Sequence, residues 1–123
     1  MKARTLVVDD ASFMREMIRE IIEPEGFDVV VEAGDGADAV VAFKEHSPDI
    51  VTMDIVMPKM SGIEAVKQII QLDPGAKIVM CSALGQEALV MEALKAGASD
   101  FIVKPFKPDA VVVTLRKALE KQD

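Results

Sequence analysis

Ile50-Val51-Thr52-Met53-Asp54-Ile55-Val56-Met57-Pro58 is a short apolar run with an ionisable carboxylate at its end, and the turn-former Gly62 follows shortly after the proline. Preceded by Pro48 and Asp49, a run of this length predicts a buried strand that places Asp54 at its carboxyl end. In an open α/β sheet, ligands bind in the crevice outside the carboxyl ends of the strands, so a charge there marks a candidate site. Taken alone, Asp54 is equally suited to capping the next helix. The residues at the ends of the other strands decide between these readings.

Outward from this run, apolar stretches alternate with amphipathic ones. Leu6-Val7-Val8 ends in Asp9-Asp10, and Phe13, Met14, Met17, Ile18, Ile21 and Ile22 then recur at helical spacing until Pro24 and Gly26. Val29-Val30-Val31 is a second strand. Gly34-Asp35-Gly36 turns the chain into a helix carrying Ala39, Val40 and Phe43, closed by Ser47-Pro48. After the central strand, Ile63, Val66, Ile69 and Ile70 mark a third helix, stopped at Asp73-Pro74-Gly75. Ile78 to Cys81 is the fourth strand, and a helix from about Gln86 carries Leu89, Val90, Met91 and Leu94 as far as Gly97. Phe101-Ile102-Val103 is the fifth strand. The last helix begins after Pro108, with Asp109 in its first turn and Val112, Leu115 and Leu119 inward.

Five strands in strict alternation with five helices, each strand apolar on both sides, predict parallel pairing and helices on both faces. The fold class is therefore α/β: a three-layer, doubly wound, flavodoxin-like five-stranded parallel sheet, with residues 1–123 as a single domain. Strand order 2-1-3-4-5 is the usual solution for five such units and sets the first and third strands side by side. With neighbouring strands about 4.8 Å apart, Asp9, Asp10 and Asp54 should converge at one end of the sheet. Ser82, after the fourth strand, and Lys104, after the fifth, should line the same edge.

Composition removes several function classes. The net charge is −7, with 21 acidic against 14 basic residues and no basic run, which disfavours nucleic acid and anionic membrane as direct partners. No apolar run approaches the length of a membrane span, and Leu6-Val7-Val8 is too short for a signal sequence. The single cysteine, Cys81, excludes an intrachain disulfide or a cysteine-based zinc site and points to a reduced, cytoplasmic compartment.

Three carboxylates in one crevice repel each other. Two unit charges about 4 Å apart cost roughly 4 kcal/mol at an effective dielectric near 20, so the cluster should raise a pKa or hold a cation. All candidate ligands are oxygens, and neither His46 nor Cys81 is placed to contribute, so a hard divalent ion fits best. A few carboxylates completed by water and a substrate phosphate is the magnesium pattern, whereas calcium calls for a cage of many protein oxygens. Lys104 adds a positive charge and Ser82 a hydroxyl. Together the set suits in-line transfer of a phosphoryl group to a carboxylate.

The Asp9-Asp10 pair, Asp54 with Met57-Pro58 and Gly62, Ser82-Ala83, and Lys104-Pro105-Phe106 occur in order with family-like spacing along the whole chain. In this the sequence resembles the receiver domain of two-component response regulators. The resemblance implies that Asp54 is the phosphoacceptor, that Asp10, Asp54 and the Val56 carbonyl bind Mg2+, and that Asp9 assists through the metal's water shell. It also implies that Ser82 and Lys104 bind the phosphoryl group and that the Lys104-Pro105 peptide is cis, a geometry of low cost only before proline. Phe101, read by itself as a core residue, would be the switch aromatic that turns inward when Ser82 moves. It lacks the hydroxyl of the tyrosine often found there, so packing alone would bias it.

With 19 residues beyond Lys104, no DNA-binding effector is expected to follow. Ser12-Phe13-Met14-Arg15, Ser82-Ala83-Leu84-Gly85-Gln86 and the stretch Ala98 to Phe106 resemble the stand-alone chemotaxis type. The implied partners are a chemotaxis sensor histidine kinase, a flagellar motor switch protein bound by the fourth helix, fifth strand and fifth helix, and an auxiliary phosphatase. The implied state is monomeric. Val56 and Leu84 flank the acceptor with apolar groups that cannot orient water, so slow self-dephosphorylation is expected. A receiver in a non-chemotaxis phosphorelay is the alternative within the family.

Competing classes fit less well. An aspartyl-phosphate hydrolase wants its two aspartates two residues apart after the first strand, not adjacent as Asp9-Asp10 are. A flavin carrier lacks both its phosphate loop and a Trp or Tyr to stack on the ring. Gly34-Asp35-Gly36 lacks the lysine of a phosphate-cradling loop. The methionines Met14, Met17, Met53, Met80 and Met91 read as core filling. His46 reads as a helix-end residue. Arg15, Glu16, Arg19 and Glu20 read as a solvated helix face.

Overall fold

The computed structural model describes residues 2–121. Strands β1 (Ala3–Val8), β2 (Phe27–Ala33), β3 (Ile50–Asp54), β4 (Ile78–Ser82) and β5 (Asp100–Val103) alternate with helices α1 (Ser12–Ile22), α2 (Gly36–His46), α3 (Gly62–Leu72), α4 (Glu87–Ala96) and α5 (Pro108–Glu120). All pairings are parallel and the sheet order is β2-β1-β3-β4-β5. This is the doubly wound fold that the alternation predicts. The second strand is longer than Val29-Val30-Val31 at both ends, and the fourth helix starts at Glu87.

Side chains on successive strand residues point to opposite faces, which divides the core into two layers. Leu6, Val8, Val51, Met53, Ile78 and Met80 pack against Phe43, Val66, Ile69 and Val90 of α2, α3 and α4. Val7, Ile50, Val79, Cys81 and Ile102 pack against Ile18, Ile22, Val112 and Leu115 of α1 and α5. The β1–β2 pairing contains one irregularity: Thr5 faces Val29 but Leu6 faces Val31, so Val30 is an extra residue. Val29 consequently packs in the α1/α5 layer, while Val31 and Ala33 lie with the opposite layer.

Two backbone approaches fix the loop after β3. Gly62 donates its amide to Ile55 O at 2.8 Å, and a Cβ at Gly62 would collide with the Asp54 carbonyl oxygen. Gly36 donates to Met60 O at 3.1 Å, where a Cβ would likewise strike the Met60 carbonyl. Side chains of any size are excluded at both positions.

Four apolar residues expected in the core are exposed instead. Phe13 (66 %) and Met17 lie off the α1 stripe, because Phe13 sits roughly 140° around the helix from Ile18 at 3.6 residues per turn. Met91 stands beside, not on, the buried row of Val90 and Ala93. Phe101 (40 %) belongs to the edge strand β5, where α4 leaves the sheet partly uncovered. Met53 and Met80 are core residues as expected.

Candidate functional site

The carboxyl ends of β1, β3 and β5 bring Asp9, Asp54 and Lys104 to one point. The residues preceding them on the same sheet face, Val7, Thr52 and Ile102, are buried, so each charged group emerges at the rim of an apolar floor. Asp9 and Asp54 are themselves buried, whereas Asp10 is exposed. One carboxylate oxygen from each of Asp9, Asp10 and Asp54 lies within 4.8 Å of the other two. Asp54 does not cap the next helix; Ser61 does, accepting from Glu64 N at 3.3 Å.

Lys104 Nζ donates to Asp9 Oδ2 at 3.0 Å and lies 3.4 Å from Asp54 Oδ2. Burial holds the Asp54 carboxyl above its ordinary pKa. Lys104 opposes that shift, while Asp9 and Asp10 reinforce it by repulsion. For Lys104, burial favours the neutral amine but is outweighed by the hydrogen bond to Asp9 and the charges of Asp54 and Asp9, so its pKa rises. Cys81, opposite Asp54 across β3 and β4, is buried and its thiol is pushed far up by desolvation.

Three carboxylates against one ammonium leave two net negative charges. An all-oxygen donor set of that charge, open on the Asp10 side, fits a hard divalent cation with water in its remaining positions, as Mg2+ prefers. Asp9, Asp10 and Asp54 are the residues that would hold it. Val56, expected to offer its carbonyl, stands on the loop directly after β3 with its side chain exposed (54 %).

Ser82 is buried at the end of β4. Its carbonyl accepts from Lys104 N at 2.7 Å, and its hydroxyl is 3.5 Å from Ile102 O. The Lys104-Pro105 peptide is cis. On its other side, Ser82 lines an apolar cavity of about 250 Å³ between α4 and β5, walled also by Leu84, Val90, Met91, Leu94 and Phe101. An apolar cavity of about 150 Å³ already accommodates benzene, so this one has room for the Phe101 ring. Ser82 is thus the partition between the charged site and the space beside Phe101.

One element of the site was not legible in the sequence. Arg15 Nη1 donates to the Asp9 carbonyl oxygen at 2.6 Å while its Nε donates to Glu32 Oε1 at 2.9 Å, and Arg19 Nη2 holds the other Glu32 oxygen at 2.7 Å. Arg15 and Arg19 were read as part of a solvated helix face, and Glu32 carried no reading. No local pattern pairs residues 17 positions apart across a helix and a strand.

The family model for the response regulator receiver domain matches residues 5–116. The chain is 58% identical over 117 residues to the chemotaxis protein CheY of Thermotoga maritima, covering 95% of this chain and 98% of that protein. It is 57% identical over 119 residues to the CheY of Bacillus subtilis, covering 97% and 99%. Among solved structures, the CheX–CheY–BeF3–Mg2+ complex from Borrelia burgdorferi matches with a TM-score of 0.91 at 40% identity, over 97% of this chain and 90% of that one. The response regulator domain of Thermotoga maritima CheB matches with a TM-score of 0.92 at 38% identity over the whole of both chains.

Proposed function

The chain belongs to the response regulator receiver domain family, and from that premise we propose that Asp54 accepts a phosphoryl group from a sensor histidine kinase and that the surface around α4, β5 and α5 changes in response. The observation that carries this reading is the convergence of three carboxylate oxygens within 4.8 Å, with Lys104 reaching two of them. Asp54 is the buried member of the set that stands at the centre of the sheet, with β1 on one side and β4 on the other.

In the proposed step, an Asp54 oxygen forms a new bond to phosphorus as the bond from phosphorus to the kinase imidazole breaks, and the imidazole leaves opposite the attacking oxygen. Bound Mg2+ supplies charge neutralisation on the phosphoryl oxygens. Lys104, already 3.4 Å from Asp54, turns to a phosphoryl oxygen, and the Ser82 hydroxyl offers a hydrogen bond to another. Phosphorylation adds about −1.5 to −2 charge at this point, which draws Ser82 and Lys104 inward. The cavity beside Ser82 then takes in the Phe101 ring, and packing alone sets the balance between its two positions.

Similarity to chemotaxis proteins supports a chemotaxis kinase as donor and a flagellar motor switch protein as target. The Borrelia burgdorferi relative was solved with CheX, which supports a further partner besides donor and target; we assign that role to an auxiliary phosphatase. The working unit is a cytoplasmic monomer of one domain, and no helix among the described residues is long and apolar enough to cross a membrane. The test is intact mass after incubation with phosphoramidate or acetyl phosphate and Mg2+. Wild type should gain one phosphoryl group and Asp54→Asn none; labelling of Asp54→Asn to the wild-type extent would overturn the assignment.

A further inference from the structure

We infer that Arg15 is a positioning residue for the cation site, acting through the backbone of the Asp9-Asp10 pair and itself aimed by Glu32. Asp9 is held at four points: its amide donates to Ala33 O at 3.1 Å, Oδ1 accepts from Ala11 N at 3.0 Å, Oδ2 from Lys104 at 3.0 Å, and its carbonyl oxygen from Arg15 at 2.6 Å. That carbonyl belongs to the peptide joining Asp9 to Asp10. Holding its plane sets the direction in which the exposed Asp10 side chain leaves the chain. Among the described residues the Asp10 side chain makes no hydrogen bond or ion pair, so the peptide plane is the constraint on it.

The geometry requires a planar fork. Arg15 donates from Nη1 to the Asp9 carbonyl and from Nε to Glu32 at the same time, which a lysine ammonium at this position could not span. Glu32 is fixed in turn by Arg19 at 2.7 Å, so α1 and β2 clamp the guanidinium between them. Charge-assisted bonds of this length are the strong class of hydrogen bond. Partners that orient metal ligands from behind commonly change metal affinity by roughly tenfold or more.

Two accounts of Arg15 give opposite signs. As a mere positive charge near the acidic cluster, Arg15 repels the cation, and removing it tightens binding. As a positioning group, its loss weakens binding even where the charge is kept. The inference rests on reading Asp9, Asp10 and Asp54 as a cation site, and titration calorimetry with Mg2+ separates the two. Wild type binding no Mg2+ overturns both. With wild type bound, Arg15→Lys and Glu32→Ala should each weaken Mg2+ roughly tenfold, Arg15→Met should also weaken it, and the pair Arg15→Lys/Glu32→Ala should be no worse than either alone. In the metal-free protein, amide exchange at Ala11 should quicken in Arg15→Lys while the thermal transition remains cooperative. Wild-type affinity in Arg15→Lys, tighter binding in Arg15→Met, additive losses, or unchanged exchange at Ala11 overturns the inference and leaves the cation site standing.

Discussion

Lys104 is bonded to Asp9 at 3.0 Å, closer than the 3.4 Å at which it stands from Asp54, the proposed acceptor. Without a metal, the ammonium is the resident cation of the acidic crevice. It competes with any ion that enters, and it must leave Asp9 in part to reach a phosphoryl group.

Removing this competitor should therefore tighten Mg2+. In Lys104→Met we expect affinity to rise roughly threefold to tenfold, about 0.7 to 1.4 kcal/mol, while the metal-free protein melts at a lower temperature because Asp9 and Asp54 lose their counter-charge. Calorimetry with Mg2+ and thermal unfolding in chelator measure the two effects. Weaker Mg2+ binding in the variant would contradict the competition.

Asp54 gives a pH dependence of definite sign. Its folded-state pKa is raised, chiefly by burial, so between the ordinary carboxylate value and the raised one the folded state holds more proton than the unfolded. Stability of the metal-free protein must fall as pH rises through that window, and the ionised group remains a cost at neutral pH. Asp54→Asn should then melt above wild type in chelator and flatten the acid side of the stability curve. Added Mg2+ should favour wild type. A variant less stable than wild type in chelator would show that Lys104 outweighs burial.

Phe101 is half out of the core, so Phe101→Ala should cost less than about 1 kcal/mol in the resting protein. The loss should appear on switching: the stabilisation gained from Mg2+ with beryllofluoride should be smaller in the variant by about 1 to 2 kcal/mol, the worth of burying the rest of the ring. Equal gains in both proteins, or one ring position with and without the mimic, would rule out the toggle.

Thr52 Oγ1 is fully buried on β3, two residues before Asp54, with no hydrogen-bond partner. Replacement by the isosteric Val removes an unsatisfied hydroxyl without changing volume. Thr52→Val should be more stable by about 1 kcal/mol in urea unfolding.

Val56, two residues past the proposed acceptor Asp54, and Leu84 (82 % exposed), two residues past Ser82, are hydrocarbon where the loops leave the carboxyl ends of β3 and β4. Neither orients an attacking water, so the phosphoryl group should outlast a time scale of seconds. Val56→Asn and Leu84→Gln should each shorten its life severalfold, up to roughly tenfold for about 1.4 kcal/mol of barrier. Time-resolved intact mass follows it; a lifetime of seconds indifferent to both changes would refute the idea.

The strands were legible because apolar runs ending in charge leave few alternatives; their order came from the usual arrangement of five such units, and the strand ends then carry Asp9, Asp10, Asp54, Ser82 and Lys104 to one edge. Helix faces were legible only where the apolar stripe was narrow. Ile18 and Ile22 were placed correctly, but Phe13 and Met17 were not, since hydrophobicity alone does not say which flank of a broad stripe meets the sheet. The Gly36–Met60 approach and the Arg15–Glu32 clamp were invisible because each joins residues distant in sequence through geometry that no short pattern encodes.

The supernumerary Val30 has a consequence for how this fold tolerates change. On the near side of it, Phe27 and Val29 turn toward α1, and on the far side Glu32 does, so an odd spacing separates groups that must share one face. Delete that single valine and plain alternation still sets Phe27, Val29 and Glu32 on one face in register with β1, so both halves of the strand keep their layers without it. A missing residue at this one point of the sheet margin would thus be absorbed before it reached the acidic crevice, because the strand carries it as slack.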